Sequence, residues 1–156
     1  MGQSEIQSAF KVTEVDLIYR NKVKPKNRTF ITNSQDAYSV LKRVWDKNKI
    51  DLVEQFKIVL LDHRNACLGV SDVASGGMTN CIVDSKIVFA TALKSKATKI
   101  ILAHNHPTGN LTPSTSDLNI TKKLVTGGQY LDIEVLEHII MTSQGYYSMA
   151  DNGLIP

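Results

Sequence analysis

Apolar positions first fall into register in FITNSQDAYSVLKRVWDKN, where Ala37, Tyr38, Leu41, Val44 and Trp45 recur at helical spacing. Asn33 or Ser34 suits the cap, so a core-facing helix is expected. The period then changes. In EQFKIVLLD, Phe56, Ile58 and Leu60 share one side, while Gln55 and Lys57 begin the other, which turns apolar at Val59 and Leu61. That alternation predicts a strand buried on at least one face. A polar turn at HRN, a second strand around ACLGVSDVA and a flexible SGG make a hairpin the simplest continuation.

Asp84 or Ser85 can cap SKIVFATALKSKA, in which Ile87, Val88, Ala92 and Leu93 form an apolar stripe and a basic C-terminal end suits the helix dipole. The strand KIILAHN follows at once. Another helix is expected over PSTSDLNITKKLVTGG, capped by Ser114, with Leu118 and Leu124 on its periodic face and Gly127 and Gly128 as its stop. DIEVLEHIIMT reads as a strand, SQG as a turn and YYSMA as a short strand. Alternating strands and helices argue for α/β layering, and the hairpin-like pairs imply a mixed sheet.

Composition adds limits. The 156 residues are 42% hydrophobic and 21% charged, an ordinary mixture for a single globular domain rather than a disordered chain. The longest apolar runs, IVLL and IILA, are too short to cross a bilayer, and no membrane partner is expected. The first residues lack the pattern of a signal peptide, and Ile6 stands where a myristoylation motif requires Ser or Thr, so the cytoplasm is the expected location. Cys67 and Cys81 suggest neither a metal site of their own nor a disulfide framework.

The net charge of +3 is unevenly spread, with ten Lys or Arg against five Asp or Glu in residues 1–50. Arg20, Lys22, Lys24, Lys26 and Arg28 recur every second residue, which in an extended chain puts five cations on one side. Such a stripe can follow a nucleic-acid backbone. It also suits an edge strand kept from aggregating by lysines and Pro25, and an edge of that kind could pair across a homodimer. Residues 1–29 are therefore read as a basic arm or edge strand ahead of a domain at 30–156.

The densest chemistry lies in AHNHPTGNLTPSTSD, residues 103–117. His104 and His106 project to the same side of a strand or its end, roughly 7 Å apart at the backbone, close enough for two imidazole tips to converge on one ion. Pro107 keeps His106 out of helical geometry, Gly109 permits a sharp turn, and Asp117 falls in the first turn of the following helix. Two imidazoles and a carboxylate suit a catalytic Zn²⁺ with a water in the fourth position. Each half also has a plainer explanation, since polar strand ends tolerate histidine and Ser114-x-x-Asp117 is close to a capping box.

Glu54 shares the parity of Phe56, Ile58 and Leu60, so a carboxylate ends an otherwise apolar face. It is either a solvated first residue of the strand or a general base beside a metal-activated water. His138 has Leu136 and Ile140 as same-side neighbours and reads as a hydrogen-bonded core histidine rather than a fourth ligand. His63 reads as solvated and Trp45 as a core anchor.

Taken with HNHPTGNLTPSTSD and the tail LEHIIMTSQGYYSMADNGLI, Glu54 completes a series that resembles the RadC family, a bacterial branch of the JAB/MPN metalloenzyme domains. Glu, then H-x-H-P, six residues and S-x-x-D match that family's pattern residue for residue, over about residues 30–156. The helix-hairpin-helix region at the front of many such proteins is not among these residues. The resemblance implies a three-layer αβα fold with a central mixed sheet, similar to cytidine deaminases, and zinc held by His104, His106 and Asp117. It further implies Glu54 as the base that activates water and Ser114 as the donor to the oxyanion, in enzymes that cleave peptide or isopeptide bonds. The family also carries an association with DNA repair.

A zinc hydrolase is thus the leading expectation. A deaminase would need H-x-E with P-C-x-x-C, which does not occur. A non-haem iron oxygenase would share the two His and a carboxylate but not this turn-and-helix arrangement. The alternative from another class is a non-catalytic, DNA-associated accessory protein that engages phosphates through residues 20–28, although no aromatic residue is interleaved there to stack bases.

Overall fold

Val59 and Ile58 are neighbours in the chain and both are fully buried, yet they belong to different cores. The division is made by a five-stranded sheet in a computed structural model that describes residues 16, 20–78 and 81–156. Its strands are β1 (Gln55–Leu61), β2 (Cys67–Ser75), β3 (Lys99–Asn105), β4 (Glu134–Met141) and β5 (Tyr146–Ser148). The helices are α1 (Ser34–Val44), α2 (Ser85–Lys94) and α3 (Thr115–Tyr130). The spatial order is β2-β1-β3-β4-β5, with β3 and β4 parallel and the other neighbours antiparallel.

Because side chains alternate along a strand, the sheet sorts its apolar residues onto two faces. Phe56, Ile58, Leu60, Ile100 and Leu102 meet Val88, Phe89 and Ala92 of α2 and Leu124 of α3. On the opposite face, Val59, Leu61, Ile101, Ala103, Ile139 and Met141 meet Ala37, Leu41 and Trp45 from α1 and its end. The result is the expected three-layer αβα arrangement around a mixed sheet. Each fully buried Leu or Ile in these cores contributes about 1.5–3 kcal/mol relative to exposure. Among the described residues no helix is long and apolar enough to cross a membrane.

Local signals set most boundaries. Asn33 caps α1 by accepting from Asp36 N, and Asp84 caps α2 by accepting from Lys86 N. The β1–β2 hairpin turns at Asp62, whose Oδ1 accepts from Arg64 N and Ala66 N at 2.8 and 3.0 Å.

Four details depart from the periodicity. Ile87, Leu93 and Val44 are about half exposed, and Leu118 is also exposed. On α2 the buried positions are Val88, Phe89 and Ala92, so the helix is rotated to seat the Phe89 ring. At the end of α1, Trp45 leaves helical geometry (ψ 131°) and turns its ring inward while Val44 stays outside. Gly127 and Gly128 do not stop α3, which runs on to Tyr130 and ends at Asp132 in the left-handed region (φ 54°). The glycines instead create clearance, because a Cβ at Gly127 would lie 2.9 Å from the Phe89 ring and one at Gly128 2.2 Å from the Ile133 carbonyl oxygen.

The alternating stripe is not a strand. Pro25–Asn27 forms a 3-10 turn, and the first pairing after it is an isolated bridge between Phe30 and Ala66. A proline with fixed φ and no N–H favours this turn over a ladder. Arg20, Lys22, Lys24 and Lys26 are exposed, whereas Arg28 is drawn to Asp62 at 3.8 Å. Most of residues 1–19 lies outside the described residues, so the structure does not bear on the expected arm there.

Candidate metal centre

The central strand β3 delivers the first imidazole. His104 pairs across to Phe56 on β1 and to Ile140 on β4, and its side chain is almost wholly buried. One residue past the strand, His106 extends the ladder by donating its N–H to the Met141 carbonyl at 3.0 Å. The chain then reverses. Gly109 adopts φ 81°, a conformation that a side chain would strain, and its N–H donates to the His106 carbonyl at 3.0 Å. The returning loop places the Asn110 carbonyl 2.6 Å from His106 Nδ1, where it accepts that nitrogen's proton and leaves Nε2 as the nitrogen turned toward Asp117.

Asp117 arrives from the other direction as the third residue of α3. Ser114 and Asp117 form a full capping box: Asp117 N donates to Ser114 Oγ at 3.1 Å, and Ser114 N donates to Asp117 Oδ2 at 2.6 Å. The same carboxylate places Oδ1 3.0 Å from His104 Nε2 and Oδ2 3.3 Å from His106 Nε2. The two Nε2 atoms are 2.9 Å apart. One ligand atom from each of the three residues lies within 4.8 Å of the others, so the sequence-predicted set converges.

This donor set fits a divalent ion of the zinc type. Two imidazole nitrogens and one carboxylate oxygen give three protein ligands and room for a fourth. Burial opposes ionisation of Asp117, but hydrogen bonds from His104 and His106 outweigh it and hold the carboxyl well below its ordinary range. The hydrogen bond to Asp117 raises the His106 pKa against the effect of burial.

Glu54 lies just ahead of β1, across from His106. Its N–H donates to the Gly77 carbonyl at 3.1 Å, and its own carbonyl accepts from Gly76 N at 2.8 Å. Its carboxyl faces a cleft of about 550 Å³ shared with His104, His106, Ser114 and Asp117, whose walls include Phe56, Ile82, Val83 and Ile120. Burial raises the Glu54 pKa, partly offset by the nearby His104 and His106. Ser114 is exposed at the rim of the same cleft.

Three further residues support this arrangement. Asn105, fully buried between the two histidines, donates to the Ile50 and Val53 carbonyls at 2.7 and 2.9 Å and accepts from Gln55 N at 2.7 Å. It ties the segment that carries Glu54 to the strand that carries the histidines. Its opposite parity within HNH is a signal, although nothing in the sequence reveals its partners. His138 is a buried, hydrogen-bonded core histidine as expected, with Nε2 2.7 Å from His104 Nδ1 and Nδ1 2.6 Å from Thr121 Oγ1. Burial keeps it well below the ordinary histidine pKa. Thr121 stands one helical turn after Asp117, a spacing that places both on one face. His63 is exposed and distant in the β1–β2 turn, and Trp45 is a core residue.

A histidine pair at the end of a central strand, a capping aspartate and an αβα scaffold together define a JAB-type domain. Residues 31–154 match the family model described as RadC-like JAB domain, and the chain belongs to that family. Relatives described as UPF0758 proteins include one from Flavobacterium johnsoniae, 38% identical over 80% of this chain and 53% of its own length. Another, from Syntrophotalea carbinolica, is 33% identical over 97% of this chain and 64% of its own. A third, from Symbiobacterium thermophilum, is 42% identical over 66% of this chain and 44% of its own. The chain thus spans about half the length of the curated relatives it matches.

Proposed function

We propose that this chain is a zinc-dependent hydrolase of peptide or isopeptide bonds. The observation that carries this reading is the convergence of His104 Nε2, His106 Nε2 and an Asp117 oxygen beside the half-buried carboxyl of Glu54 in one open cleft. When bound, Zn²⁺ would supply Lewis-acid polarisation of the scissile carbonyl and lower the pKa of a water. The protein's own groups account for the rest. Glu54, held at the start of β1 by its backbone pairing to Gly76 and Gly77, accepts a proton from the attacking water and returns it to the leaving amine. Its raised pKa suits that exchange, because a carboxyl nearer neutrality both takes and gives a proton readily.

The Ser114 oxygen already accepts from Asp117 N, so its hydroxyl proton is directed elsewhere; at the cleft rim it is positioned to donate to the oxygen of a substrate carbonyl. Phe56, Ile82, Val83 and Ile120 give the cleft apolar walls that suit the side chains of a peptide.

Metal analysis tests the centre. Purified protein is expected to carry about one zinc per chain, and both His106→Ala and Asp117→Ala are expected to lose it. Zinc retained in both variants would remove the assignment.

A further inference from the structure

We propose that His138 and Thr121 form a one-directional hydrogen-bond relay that fixes the tautomer of His104 and so presents its bare Nε2 to the metal. The inference rests on reading His104, His106 and Asp117 as the ligand set. It assigns a positioning role to two buried residues outside that set.

The direction of the relay follows from counting protons. Thr121 Oγ1 lies 2.6 Å from the Asp117 backbone carbonyl oxygen. A carbonyl carries no proton, so a contact that short is attractive only if the threonine hydroxyl donates it. Its other near neighbour, Met149 Sδ at 3.8 Å, is likewise an acceptor. With its single proton committed, Thr121 Oγ1 must accept from His138 Nδ1, 2.6 Å away.

A neutral His138 protonated at Nδ1 has a bare Nε2. That nitrogen lies 2.7 Å from His104 Nδ1 and accepts its proton. His104 therefore commits its Nδ1 hydrogen to the relay, and Nε2, the atom 3.0 Å from Asp117 Oδ1, is the nitrogen left to offer a lone pair to an ion. The chain of donation runs from His104 to His138 to Thr121 and ends on the main chain of Asp117. The residue that supplies the carboxylate also anchors the tautomer of its fellow ligand.

The two imidazoles thus obtain the same tautomer by different means. His106 donates Nδ1–H to an adjacent loop carbonyl, whereas His104, enclosed by the sheet, reaches a carbonyl only through two side chains. Thr121, His138 and His104 are each no more than 1% exposed, so no bulk water substitutes for a missing member. Removing the Thr121 hydroxyl leaves His138 Nδ1–H without an acceptor and favours the tautomer with hydrogen on Nε2. That proton would confront His104 Nδ1–H and drive the His104 proton to the metal side.

Zinc affinity measured by chelator competition for wild type, Thr121→Val and Thr121→Ser tests the relay. Thr121→Val keeps the shape and is expected to bind zinc about 10- to 100-fold more weakly, the usual effect of losing a ligand's hydrogen-bond partner. Thr121→Ser restores the hydroxyl and is expected to stay near wild type. Nitrogen-detected NMR of the zinc-loaded wild type, which needs no variant to fold, is expected to show His138 protonated at Nδ1. Equal affinity in wild type and Thr121→Val, or hydrogen on His138 Nε2, overturns the relay and leaves the metal centre intact. A wild-type chain that takes up no zinc overturns the metal reading and the relay with it.

Discussion

At Glu54 a carboxyl sits at the end of an apolar strand face, clamped through its backbone and aimed into the cleft of the histidines. Glu54→Gln keeps its shape and hydrogen-bonding reach but cannot take a proton. The variant is expected to retain zinc and to lose about 10²- to 10⁴-fold in turnover of any amide substrate the wild type cleaves. Full turnover in a zinc-loaded variant would strip Glu54 of its role as base. Asp117 shows why the site was legible in the sequence although each motif had an ordinary explanation. Its Oδ2 completes the capping box with Ser114 N while Oδ1 faces His104, so cap and candidate ligand are one side chain doing both. His104, His106 and Asp117 lie within fourteen residues, and local geometry alone brings them together. Asn105 and His138 were opaque as parts of the site because their partners lie 50 to 55 positions away for the first and 17 and 34 for the second, joined only when the sheet and α3 assemble.

Among the elements, α3 connects the centre to the core. Its first turn holds Asp117, its second holds Thr121, and its last passes so close to its neighbours that a Cβ at 127 would crowd the Phe89 ring and one at 128 the Ile133 carbonyl. Periodicity located this helix but misread its end, because Gly-Gly marks a stop only when no neighbour needs the space. The stop is made by Asp132 in the left-handed region, while the Gly128 carbonyl accepts from Leu131 N at 3.1 Å and Ile133 N at 2.9 Å. A methyl at position 128 would meet main chain, which cannot swing aside as a side chain can. Gly128→Ala should therefore lower stability by about 1–3 kcal/mol in spite of alanine's better helix propensity. Urea unfolding reads this directly, and a variant as stable as wild type would show that α3 can lift away without cost. The edge-strand alternative for the basic stripe gives way for a related reason: alternation predicts a strand only where the backbone can continue, and Pro25 turns it instead.

For the molecule as a whole, an ion bound between β3 and α3 joins the sheet to the helical layer, so its binding energy adds to folding stability. With free zinc about 100-fold above its dissociation constant the gain is about 2.7 kcal/mol. For a domain of this size that raises the melting temperature by roughly 5–11 °C. The gain has a definite sign with pH. Without metal, the raised pKa of His106 means that its protonated form stabilises the fold, fully below the ordinary histidine value and lost as pH rises through the folded one. The depressed pKa of Asp117 contributes stability above the ordinary carboxylate value, lost as pH falls toward the folded one. The metal-free pair is therefore strongest between the carboxylate and imidazole ranges. Zinc needs His106 Nε2 unprotonated, so lowering the pH through the His106 range both weakens the ion's hold and strengthens the ion pair it replaces. The zinc-dependent rise in melting temperature is expected to widen from acid to mildly alkaline pH and to vanish in His106→Ala. Thermal scans with zinc or with chelator check this, and a rise that is independent of pH, or that survives His106→Ala, would place the ion elsewhere on the chain.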